Sequence, residues 1–188
     1  VFVPGHGRSA EVVSDLAAAL SEKTGAVVIA YAYDGGDAPG STQAVTAGRN
    51  ARAHAFGLLE LLATLLHSEG LREIWTGRAV SLVVHGLGAR ILKAAVLECP
   101  DLVGELCTSV VLSAADISYE LQIDWLSRLT PRQDPEAVGI LWHDGDAALD
   151  NLLDGRLLLA ARGESVPPDL LETQIGVFGD SDPFHAVP

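Results

Sequence analysis

The chain has 188 residues, 48% of them hydrophobic and 20% charged, with a mean hydropathy of +0.28; this suits one packed domain and excludes collagen, coiled coil and intrinsic disorder. Twelve Lys and Arg against 25 Asp and Glu leave a net charge of −13, a field that repels phosphate backbones and anionic lipid, so neither nucleic acid nor a membrane surface is an expected partner. The longest apolar runs, such as residues 157–161, fall far short of the roughly 20 residues of a membrane span.

In chain order, short apolar runs alternate with longer stretches at helical spacing. Residues 1–3 read as a strand. Ser9 is placed as the N-cap of a helix striped by Val12, Val13, Leu16 and Leu20. A second strand is expected over 27–31, followed by a Gly-, Asp- and Pro-rich loop over 34–41. Ala51, Ala55, Leu58, Leu59, Leu62, Leu65 and Leu66 recur at three and four, predicting a helix that Gly70 ends. Further strands are expected over 80–84, 109–112, 138–142 and 175–178, with a small cap over 117–129 and a loop over 130–135. The strand runs are almost continuously apolar. That order and pattern predict an α/β fold, a mostly parallel doubly wound sheet covered by helices on both faces. No linker divides residues 1–188, which read as a single domain. The chain opens inside an apolar run without a methionine, so it is expected to be a fragment of a longer chain that carries further partner domains.

Cys99 and Cys107 have no metal-ligand spacing and read as small hydrophobes of a reducing, cytoplasmic compartment, with a single bridge between them as the alternative. No metal and no cofactor is expected on the leading reading. In a doubly wound sheet, chemistry gathers where strands end at their carboxyl edge. The residues there are rich in His, Asp and Gly: Pro4-Gly5-His6-Gly7, Tyr33-Asp34, His85-Gly86-Leu87-Gly88, Ala115-Asp116, His143-Asp144-Gly145-Asp146 and the stretch 180–185.

Four of these segments carry a resemblance, one of them Ser113-Ala114-Ala115-Asp116, which follows the 109–112 strand and is similar to an A-P-D segment. Val1-Phe2-Val3-Pro4-Gly5-His6-Gly7 is similar to a strand and oxyanion loop, and Ser81-Leu82-Val83-Val84-His85-Gly86-Leu87-Gly88-Ala89-Arg90 to a strand, nucleophile elbow and helix. Ile140-Leu141-Trp142-His143-Asp144-Gly145-Asp146 is similar to the strand and loop that carry a catalytic acid. Together they resemble the α/β-hydrolases, and within them a bacterial serine-esterase-like branch, over nearly the whole chain. The resemblance implies the α/β-hydrolase fold with a minimal cap. It puts the nucleophile position at Gly86, the acid at Asp146 and the histidine at His185, with Gly5, His6 and Leu87 forming the oxyanion loop. The ligand it implies is a small molecule of the acyl type.

The chain departs from that pattern at the decisive position. The elbow G-x-S-x-G is written here as Val84-His85-Gly86-Leu87-Gly88, and glycine has no side chain with which to attack a carbonyl. Val84 is β-branched where the elbow favours a small residue, and Pro4 replaces the family's usual histidine. Ser81 and Ser113 lie within or at the end of strands, away from a turn that leads into a helix, so neither inherits the role. The expected function is that of a degenerate serine hydrolase acting as a binding or structural module. One alternative is an esterase or lipase whose nucleophile was changed to Gly86. Another is a dinucleotide-binding domain, since Gly5-His6-Gly7-Arg8-Ser9-Ala10 fits G-x-G-x-x-A and Asp34 follows the second strand. Asp146 reads equally as a turn or cap residue, His185 and His6 as solvent-facing histidines, and Asp116 as a helix cap.

Overall fold

The structure is a computed structural model that describes residues 1–5, 9–34, 41–113, 115, 125, 128 and 138–141, with backbone alone at 41–49, 51, 140 and 141. Among the described residues four strands form one parallel sheet in the order β1 (Phe2–Val3), β2 (Ser81–His85), β3 (Ser109–Ser113) and β4 (Val138–Leu141). The 27–31 segment joins its edge by a single parallel bridge, Phe2 to Ala30. There the Phe2 N–H donates to the Ile29 carbonyl and the Tyr31 N–H to the Phe2 carbonyl, each at 2.8 Å. In chain order the strand positions therefore run 2-1-3-4-5. Among the described residues five helices accompany them: α1 (Ala10–Thr24), α2 (Ser41–His67), α3 (Glu69–Trp75), α4 (Gly88–Glu98) and α5 (Pro100–Leu106). This is a mixed α/β chain with a parallel sheet.

Local chemistry explains most of the boundaries. The Ser9 side chain accepts the Val12 N–H at the start of α1, and the Gly25 N–H closes its end on the Ser21 carbonyl. α2 begins at Ser41, ten residues before the apolar spacing becomes regular. It stops at His67 because Ser68 adopts an extended conformation (φ −76°, ψ 119°). Gly70 is not the terminator that the spacing predicted; it lies inside α3, which the indole N–H of Trp75 ties back to the Leu65 carbonyl at 2.8 Å. Pro100 starts α5 at a position where its missing N–H is no loss.

In-register pairing aligns Val3, Val84 and Leu112 across the sheet, and Leu82 with Val110. These five side chains are completely buried beside Leu58 and Leu62 of α2 and Ile91, Leu92, Ala95 and Val96 of α4. At roughly 1.5–3 kcal/mol for each buried aliphatic side chain, this face is the main source of the sheet's stability. The alternate residues differ: Phe2, Val83 and Val111 are only half-buried, and Ser81 and His85 are exposed. α1 flanks that side, where Leu20 and Thr24 share a cavity with Phe2, Val83 and Val111. Complete cover on both faces, as the apolar runs predicted, is thus seen on one face among the described residues.

Both cysteines are free; Cys107 is buried and Cys99 half-buried. Burial pushes the Cys107 thiol up to about 12, which makes it inert. Among the described residues no helix is long and apolar enough to cross a membrane. Outside them lie the expected strand over 175–178, the loop over 130–135 and all of the expected 117–129 cap except Trp125 and Arg128.

Candidate functional site

The strand order fixes where a site belongs. From β1 the chain crosses to the edge segment on one side, then returns through α2 and α3 to β2 on the other. Crossovers departing in opposite directions open a crevice at the carboxyl ends of the two strands, the place where ligands sit in open α/β sheets. The residues there are Pro4 and Gly5 after β1 and Gly86, Leu87 and Gly88 after β2.

These two turns are pressed into one another. A Cβ on Gly88 would lie 2.8 Å from the Pro4 carbonyl oxygen and 3.0 Å from that of Val3. One on Gly5 would lie 2.5 Å from Nδ1 of His85 and 3.2 Å from the Gly86 Cα. Only glycine permits that approach. Pro4, Gly5, Gly86, Leu87 and Gly88 are all buried.

Gly86 takes a left-handed conformation, φ 51°. Its N–H donates to the Ser113 carbonyl at 3.0 Å, and its own carbonyl accepts the Ala89 N–H at 3.1 Å. The strand therefore turns into α4 within two residues. Leu87 is already helical (φ −60°, ψ −22°), and its carbonyl accepts the Arg90 N–H at 3.0 Å. This is a sharp strand-to-helix turn, with the positive end of the helix dipole directly behind it. Arg90, one turn further on, is the buried charged side chain of the described core, 6% exposed, and it is not free of partners.

Of the residues singled out from sequence, the structure brings together Gly5, Gly86 and Leu87. His6, Asp116, Asp146 and His185 lie outside the described residues. Val84, β-branched where the elbow pattern favours a small residue, is completely buried in the core. No group of three or more His, Cys, Asp or Glu side chains able to hold a metal occurs among the described residues.

Sequence reading missed an aromatic cluster at the end of the edge segment. Tyr33 lies against His54 of α2, ring centroids 5.2 Å apart, and stacks on Tyr31 at 6.2 Å. His54 Nε2 donates to the Asp34 carbonyl at 2.7 Å, and the Tyr31 hydroxyl to the His54 carbonyl at 2.7 Å. The Tyr33 hydroxyl is buried with no hydrogen-bond partner among the described residues, and burial, reinforced by Tyr31, raises its pKa far above the usual phenol value. An orphaned buried hydroxyl carries a desolvation penalty of about 1–3 kcal/mol. Tyr33→Phe is therefore expected to leave stability unchanged or raise it by about 1 kcal/mol, read from urea unfolding. A loss above about 1 kcal/mol would mean that the hydroxyl has a partner. The adjacent Tyr33-Asp34 in the sequence was the available signal; the pairing with a helix twenty residues on was not.

Sheet and turn together define a mixed α/β chain with a parallel sheet and, after β2, a buried glycine turn as the candidate site. Comparison of the chain with protein-family models, with curated proteins and with solved structures returns no match.

Proposed function

We propose that the protein is a degenerate serine hydrolase of the α/β-hydrolase type, a pseudoenzyme whose pocket binds an acyl or other small ligand without cleaving it. The observation that carries this reading is Gly86: it occupies the left-handed position of a buried strand-to-helix turn, where an elbow presents its nucleophile, and it has no side chain. The interlocked Gly5 and Gly88 support it, because they hold the β1 turn against the start of α4 as an oxyanion loop requires. In this reading Leu87 and the β1 turn supply backbone donors. Asp146 and His185 are the remnants of the acid and base, and the carboxyl-edge crevice is the ligand pocket.

The dinucleotide alternative gains less support from the strand order. The doubly wound dinucleotide order is 3-2-1-4-5-6, with the third strand beyond the second. Here the third strand, β2, pairs directly with β1 on the side away from Ala30.

The test is turnover of an activated ester such as a p-nitrophenyl acylate. Without a nucleophile, the protein should show no stoichiometric burst and at most a feeble steady rate, of the order of the ~10³–10⁴-fold over water that binding and oxyanion donors alone sustain. A burst of one product per chain would require a covalent nucleophile and would overturn the reading.

A further inference from the structure

At the opposite end of the sheet from the elbow lies a cavity of about 550 Å³. It opens at the amino edge of the strands, between the last turns of α1 and α3 and the start of β2. Leu20, Ile29, Leu65, Ile74, Trp75 and Leu106 form its walls. The volume falls within the roughly 300–1,000 Å³ range of small-molecule sites, which are likewise mostly apolar with few polar groups.

Its polar lining is satisfied internally. The Val1 ammonium donates to the Ser81 carbonyl at 2.6 Å, Thr24 Oγ1 to the Leu20 carbonyl at 2.7 Å and the Trp75 indole to Leu65, while Ser81 Oγ pairs with Ser109 Oγ at 2.7 Å. That leaves Arg78. It is the single ionisable side chain among the described lining residues, none of which is Asp or Glu. The turn after α3, closed by the Arg78 N–H on the Trp75 carbonyl at 2.9 Å, sets this arginine at the exposed rim. Val27, 65% exposed, and Ile74, 39% exposed, stand at the same mouth. Apolar walls, no acidic side chain among the described lining residues and one guanidinium at the entrance complement a molecule with an aliphatic tail and one negative head. We propose that this cavity binds an apolar monocarboxylate of the fatty-acid class, its tail between the walls and its carboxylate on Arg78. This site is independent of the elbow.

Titration calorimetry with octanoate, decanoate and decanol tests it. Decanoate should bind saturably, one per chain, below its micelle-forming concentration. Octanoate should bind on the order of tenfold more weakly, since each buried methylene contributes about fourfold. Arg78→Gln should weaken decanoate about fivefold, as expected for an exposed ion pair, while leaving decanol unchanged. Ala26→Trp, at an exposed lining position, should block both. Should that variant fail to fold, Arg78→Gln and the comparison with decanol still decide. Absence of saturable decanoate binding, or decanoate affinity unaltered in Arg78→Gln, overturns the proposal.

Discussion

Replacing Gly86 by serine is expected to destabilise the protein by about 1–3 kcal/mol, because a residue with a Cβ is strained at positive φ. Gly86 has φ 51°, in the left-handed region that glycine enters freely. The conformational origin of the effect predicts an order among variants. Asn, which tolerates this region, should cost least, and β-branched Val most. Urea unfolding should show the midpoint falling in that order with an unchanged slope, as a pure loss of stability requires. Val84→Ala is expected to carry a cost of its own, since Val84 is completely buried in the core and truncating it leaves a cavity. A neutral or stabilising Gly86→Ser would show that position 86 is not a strained elbow.

Gly88→Ala is expected to be destabilising by about 1–3 kcal/mol for a different reason, overpacking. Its Cβ would meet the carbonyl oxygens of Pro4 and Val3 at 2.8 and 3.0 Å, and backbone at the end of a paired strand cannot give way without moving β1. The same change at Gly70 has the opposite sign. Gly70 lies within α3 with nothing within 4 Å of an added Cβ, so Gly70→Ala should stabilise by about 0.5–1 kcal/mol through helix propensity alone. A thermal melt of the two variants side by side separates them. Equal shifts would mean that β1 and α4 are not in close contact at Gly88.

The sheet was legible because a central strand's code is local. The apolar runs around Val83, Val110 and Ile140 fall within β2, β3 and β4 to within a residue or so at each end. The edge segment was less so. Residues 27–31 have strand composition but contribute one bridge, since pairing depends on the short β1 beside them. Helix ends needed tertiary information: the start of α2 at Ser41 follows a Gly- and Pro-rich stretch that masks it, and the break at Ser68 is reinforced by the Trp75 to Leu65 bond, which no spacing reveals. The turn after β2 stood out in the sequence only through the resemblance at Val84-His85-Gly86-Leu87-Gly88; the left-handed φ of Gly86 and the close approach at Gly88 supply the physical reason for glycine there. The Tyr33 and His54 cluster and the Arg78 cavity were not legible, because each joins residues from elements distant in sequence whose types, taken singly, are ordinary.

The most direct test of the glycine elbow is intact-mass analysis after treatment with a fluorophosphonate, applied to the wild-type chain and to Gly86→Ser in parallel. On the proposed reading, a serine at position 86 should take up one phosphonyl group, on the peptide containing residue 86, while the wild-type mass stays unchanged. A wild-type chain that labels would contradict the claim that the site lacks its nucleophile. A folded Gly86→Ser variant that never labels would contradict the assignment of position 86 to a hydrolase elbow.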